Sequence, residues 1–121
     1  MEDILEYFNE LRKYYTSLAS KAMDSKIERF WSESKEEYGI LQEALNDREK
    51  KRAFEIVINE LLIQQLHALL VAMDGGEWIS EKYDFQIIEK DTTKCINADV
   101  ALHEKFIDYL WEGDEKSYRK S

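Results

Sequence analysis

Apolar residues recur every three to four positions near the start of the chain. Ile4, Phe8, Leu11, Tyr15, Leu18 and Ala22 fall on one stripe, while Glu6, Asn9, Lys13, Ser17 and Lys21 face away. This pattern predicts a surface helix over residues 3–23 with one buried face. Asp24-Ser25 then reads as a second helix start. Ser25 with Glu28 three residues on makes a capping box, in which each side chain satisfies an orphan backbone amide. Ile27, Phe30, Trp31, Ser34, Tyr38, Leu41 and Leu45 share a stripe of that helix, with Ser34 as its small member and Gly39 on the far side. Asn46-Asp47 signals a third start. The basic cluster Arg48, Lys50, Lys51 and Arg52 suits a helix C-terminus better than an N-terminus, which divides it between the end of helix 2 and the corner that follows.

The third helix is expected from about 52 to 74, and its wheel is apolar nearly all round. Phe54, Ile58, Leu61, Leu62, Leu66, Ala68, Leu69, Ala72 and Met73 cover a broad arc, and Glu60, Gln64, His67 and Asp74 gather in a narrow polar strip. Such a helix reads as the central element of a core. The apolar run 61–73 is interrupted by Gln64, Gln65 and His67 and falls short of the ~20 residues a bilayer needs, so a membrane anchor is not expected. Gly75-Gly76 stops the helix, because glycine adopts the left-handed conformation without a Cβ penalty.

Beyond the glycines the period changes. Tyr83–Ile88 alternates, a polar run Glu89–Lys94 follows, and Cys95-Ile96 closes it, which predicts a small β-hairpin over about 83–97. Asn97 or Asp99 would cap a last helix over about 99–112, ended by Gly113-Asp114. The expected fold is mainly α, with a minor β element. A four-helix-type bundle surrounds the helix at about 52–74, and the hairpin is inserted before the last helix. A single domain covers 1–114, and 115–121 is a frayed tail.

Composition and charge narrow the function classes. Proline is absent and the formal charge is −9. Residues 76–112 carry nine acids against four bases, −5, the strongest negative field in the chain. That sign repels phosphate backbones, so no nucleic acid is expected, and it attracts basic partners. The lone Cys95 cannot form an intrachain disulfide, and the acidic opening MEDILEYF lacks a basic leader region, so the expected location is cytoplasmic.

Candidate chemistry is sparse. His103 falls on the apolar arc of the last helix, and Gln65 lies in the middle of the apolar arc of the third. Together they could line a small polar pocket, or each could be a satisfied core polar group. Glu60, Gln64, His67 and Asp74 form the polar strip on which an enzyme, metal-dependent or acting on a small molecule, would have to be built. Yet Gln64-x-x-His67 replaces the Glu-x-x-His pair of carboxylate metal bundles, and two histidines cannot make a three-histidine zinc site. No metal and no cofactor are expected. Cys95 has acidic neighbours and no oxyanion loop, which favours a packed residue over a nucleophile. Trp31 and Trp111 fall on apolar stripes and are expected in the core. Trp78 follows the glycine stop beside Glu77 and Glu81. It either packs back over the end of helix 3 or anchors a partner, as an amphipathic aromatic ringed by acids does.

The favoured reading is a non-enzymatic protein-binding domain for a basic protein partner, through Glu77, Trp78, Glu81, Tyr83, Asp84, Glu89 and Asp91. The alternatives are an enzyme on the Glu60/His67/Asp74 strip and a homodimer formed through apolar faces. By size, acidity and helical content the chain resembles, as a class, bacterial immunity-type proteins that mask basic toxin nucleases. No sequence motif carries that resemblance, so what it implies, an inhibitor-like role, is an analogy of fold and charge.

Overall fold

The computed structural model describes residues 2–24 and 33–119, the last seven by their backbone. The protein is mainly helical, with four α-helices among the described residues: α1 Glu2–Ala22, α2 Lys35–Ala44, α3 Arg48–Met73 and α4 Leu102–Arg119. A 3-10 turn, Trp78–Glu81, follows α3. The capping pair Ser25/Glu28 and the stripe members Ile27, Phe30 and Trp31 lie outside the described residues.

Local chemistry sets most boundaries. Ser34, expected in mid-helix, occupies the N-cap position of α2 instead, and its carbonyl accepts the Tyr38 N–H at 3.1 Å. Asp47 caps α3: its Oδ1 accepts the Lys50 backbone N–H at 2.8 Å. α3 therefore begins four residues earlier than expected, and Arg48, Lys50, Lys51 and Arg52 lie in its first turns. A carboxylate outweighs the dipole's disfavour of cations there, and Asp47 Oδ2 also lies 3.6 Å from Lys50 Nζ. At the other end Gly75 takes φ +93°, Gly75 N–H bonds to Ala72 O and Gly76 N–H to Val71 O, which together form a Schellman closure.

The chain divides into two compact units, Glu10–Ile63 and Met1–Asn9 with Gln64–Ser121. In the first unit Thr16, Ala22 and Met23 are buried. Thr16 Oγ1 donates back to Arg12 O, and Arg12 Nη1 donates to Asn59 Oδ1. Ser20 Oγ donates to Glu55, and Gln42 Nε2 to Ala22 O at 2.8 Å, so polar side chains tie α1 to α3 and to α2. In the second unit the core is Leu5, Leu70, Leu102, Phe106 and Leu110, with Phe8 edge-on to Phe106 at 6.2 Å.

α3 is not the central core helix that its apolar wheel suggested. Leu70 is its one buried residue, while Ile56, Val57, Leu61 and Leu69 are each more than half exposed. The inward side follows Glu55, Asn59, Leu62, Leu66, Leu70 and Met73. An all-round apolar helix gives no moment to orient it, so the packed face is set by the polar ties at Glu55 and Asn59 and by the Leu70 core. By length and composition α3 does meet the requirement for crossing a bilayer: an 18-residue window within Arg48–Glu81 has mean hydropathy 1.6. The helix is longer than the 61–73 run suggested, although Gln64, Gln65 and His67 still interrupt it.

The expected hairpin is absent: no strand forms among the described residues. A single antiparallel bridge joins Ile88 to Cys95. Around it Glu89 N–H bonds to Lys94 O and Thr93 N–H to Glu89 O, with Thr93 at φ +58°. Ile96 N–H also bonds to Ile87 O at 2.9 Å, and beyond that point the Asn97 side chain takes the place of a longer second strand. Its Nδ2 donates to Phe85 O at 2.8 Å and its Oδ1 accepts the Ile87 N–H at 3.0 Å. Committed there, Asn97 cannot cap α4, and exposed Asp99 does not. Nor does Gly113 end α4, which runs to Arg119 and takes in most of the tail expected to fray. Trp111, expected in the core, is 69% exposed, because Leu102, Phe106 and Leu110 take the inward face of α4.

Candidate functional site

Every feature of the site lies in the unit Met1–Asn9 with Gln64–Ser121, and it begins at Asp74, the first residue past α3. A carboxylate at a helix C-terminus faces the negative end of the dipole, so it needs donors from elsewhere. α4 provides them: Asp74 Oδ2 accepts the His103 backbone N–H at 2.8 Å and lies 2.7 Å from His103 Nδ1. Because an ionised carboxylate only accepts, Nδ1 carries the hydrogen of this contact. The His67 ring stands edge-on to His103 at 5.5 Å between centroids. Asp74 thus does the capping expected of Asn97 or Asp99, from 29 residues away.

The structure redistributes the two polar groupings expected from the sequence. Asp74 and His67 of the strip meet His103 of the proposed pocket, while Gln65 is exposed, so the Gln65–His103 pocket does not form. Gln65 faces outward because the arc on which it lies is the unpacked side of α3. Glu60 and Gln64 are also exposed. The cluster could act chemically as an oriented imidazole base. The nearby nucleophile types are engaged in hydrogen bonds of their own: Cys95 Sγ donates to Asn97 Oδ1 at 3.2 Å, and Ser80 Oγ donates to Ala72 O at 2.9 Å. Among the described residues no three His, Cys, Asp or Glu side chains gather in a way that could hold a metal.

Asp74 also lines a cavity of about 180 Å³ with Gly75, Ser80, Tyr83, Asp84 and Asn97. Sequence reasoning missed this cavity, because it joins residues from the α3 terminus, the 3-10 turn and the Asn97 loop. The one local signal was an acid at the wrong end of a helix. Elsewhere, Arg12, Lys13 and Arg52 converge on an open cleft of about 560 Å³ in the other unit, balanced by Glu55. That basic convergence was also invisible in the sequence, where Arg12 and Arg52 belong to different helices.

Between α3 and α4, the acidic side chains of 77–91 face solvent together with Trp78 and Tyr83. Trp78 is 70% exposed and Tyr83 60%, and Glu77, Glu81, Asp84, Glu89 and Asp91 are exposed around them. Between 77 and 91 five acids face two bases, Lys82 and Lys90. Ser80, which ties the 3-10 turn to Ala72 O, holds the turn on the α3 end and leaves Trp78 outward. Asp84 Oδ2 accepts from Gln86 at 2.8 Å, and Tyr83 leans toward Phe85 at 6.3 Å. Comparison with protein-family models, with curated proteins and with solved structures finds no match to this chain.

Proposed function

We propose that the chain is a protein-binding domain that docks a basic protein partner on the surface formed by Glu77, Trp78, Glu81, Tyr83, Asp84, Glu89 and Asp91. The exposure of Trp78 carries this reading. A tryptophan left 70% in water lacks the burial its indole would gain by packing back over α3, and interfaces are enriched in such residues. The surrounding acids add a long-range field that speeds association with a basic surface and rejects acidic ones. An inhibitor-like role, in which this surface covers a basic site on the partner, follows from the same charge. The test is affinity capture from the native host with the wild type and with Trp78→Ala/Glu81→Lys/Asp84→Lys, read by mass spectrometry. A basic protein should be enriched by the wild type and lost by the variant. Retention of every captured protein by the variant contradicts the proposal.

A second reading, a homodimer, rests on a different observation: the exposed apolar side chains Ile56, Val57 and Leu61 on α3. The two readings respond oppositely to salt. Screening weakens the attraction between unlike surfaces, but it favours self-association of copies that each carry −9. Sedimentation velocity at low and high ionic strength separates them. Dimer that grows with salt and disappears in Leu61→Glu supports the α3 face, and a monomer under all conditions excludes it.

A further inference from the structure

We infer that two copies of this chain pair through α3 in antiparallel order, with Arg52 of each copy set against Glu60 of the other. The inference rests on the homodimer reading above and deepens it, adding the orientation, the register and the residues that select them. All of these residues lie in the unit Glu10–Ile63. The exposed side of α3 there carries two rows at i, i+4, i+8 spacing: Arg52, Ile56 and Glu60, and beside them Ala53, Val57 and Leu61. Ile56, Val57 and Leu61 are each more than half exposed, an apolar patch that a helix surrounded by water gains nothing by displaying. Arg52 and Glu60 are exposed, opposite in sign and separated by about 12 Å along the helix axis. Neither makes a hydrogen bond or ion pair with another described residue.

The two rows are complementary to themselves. A two-fold axis that crosses both helices at right angles reverses the chain direction and keeps each row facing its own counterpart. Arg52 then meets Glu60 of the other copy at both ends, and Ile56 meets Ile56 at the centre. In the neighbouring row Ala53 meets Leu61, so the smallest side chain of the row faces the largest, and Val57 meets Val57. A two-fold axis along the helices, the parallel arrangement, exchanges the rows instead. It sets Arg52 against Ala53 and Glu60 against Leu61, and leaves both charges covered by apolar groups without a counter-ion. The charges therefore select the antiparallel pair. An unrelated surface of one sign satisfies one end of the patch and repels the other. A bilayer offers no complement either, because Glu60 would enter hydrocarbon unpaired.

The test is sedimentation equilibrium of the full chain at one fixed ionic strength, with circular dichroism to confirm that each variant folds. Arg52→Glu and Glu60→Arg should each weaken the dimer by about tenfold or more, since each turns two attractions into two repulsions. The first makes the chain more negative and the second less so. Weakening by both therefore marks a contact, because bulk repulsion alone would move them in opposite directions. Mixed in equal amounts, the two variants should form a heterodimer about as tight as the wild-type dimer. The double variant Arg52→Glu/Glu60→Arg keeps the charge at −9 and should return to within about threefold of wild type. Single variants that dimerise like wild type, or a double variant as weak as the singles, overturn the antiparallel register. If Leu61→Glu still abolishes the dimer in that case, the homodimer reading stands without it. A wild type that is monomeric at every concentration overturns both. A monomer that co-sediments with phosphatidylcholine vesicles, and ceases to do so as Leu61→Glu, gives the face to a lipid surface and likewise overturns the pairing.

Discussion

Asp74 is electrostatically misplaced at the end of α3 and correctly placed at the start of α4, and the second role outweighs the first. Its removal should therefore be felt through α4. Asp74→Ala, by urea denaturation, should lose about 1–3 kcal/mol, the cost of stranding buried donors. A double-mutant cycle with His103→Ala should return a coupling of about 0.5 kcal/mol or more, and additivity would mean the pair does not interact. Gly75 makes a separate demand at residue scale. At φ +93° a side chain is strained although space is open, so Gly75→Ala should cost about 1–2 kcal/mol in the same assay. The glycine stop was legible because it is a local signal. The Asp74–His103 pair was not, because 29 residues separate its members and no periodicity links them. Gln65 misled for the same reason in reverse: it lies among apolar neighbours in sequence, but on a side of α3 that none of the described residues covers.

At the scale of elements, the bounds of α1 and the end of α3 matched their local signals, but the stripe of α1 matched only in part: Ala22 is buried, whereas Tyr15 is 52% exposed and Leu5 and Thr16, off the stripe, are buried. The start of α3 was misjudged because one capping carboxylate outweighs four cations. The Lys50 backbone N–H, aided by the Lys50 charge, holds the Asp47 carboxyl below the usual carboxylate value. The sign follows: a group whose pKa is lower in the folded chain contributes stability above its unfolded value, near 3.8, and loses it as pH falls through the lower folded value. Asp47→Asn should thus be less stable than wild type at neutral pH and converge with it in acid. A difference that is constant with pH would show that the charge contributes nothing. The hairpin failed as a prediction because alternation at Tyr83–Ile88 describes an extended segment equally well: backbone pairing with 94–96 stops at one bridge, and the Asn97 side chain takes the Ile87 N–H and Phe85 O beyond it. Thr93 carries the strain of the turn that replaces it. Thr93→Asn, which tolerates positive φ, should raise stability by about 1 kcal/mol.

On the scale of the whole molecule, helical content and acidity were readable from the absence of proline, the stripes and the −9 charge. The location of the core was not. Periodicity placed α3 at its centre, whereas the buried residues of one unit come from α1, the end of α3 and α4. Apolar character on every side of a helix does not say which side is covered. Trp78 stayed open between packing back over α3 and facing out, because an aromatic residue just past a helix stop, among acids, has no periodic place in a core; the structure leaves it 70% exposed. The most direct test of its role is the dissociation constant for the captured partner, measured against ionic strength for the wild type and Trp78→Ala. Wild-type affinity should fall steeply with salt, and Trp78→Ala should weaken binding by about 30-fold or more, the ~2 kcal/mol of an interface hot spot. An affinity that is flat in salt and unchanged by Trp78→Ala would contradict the account.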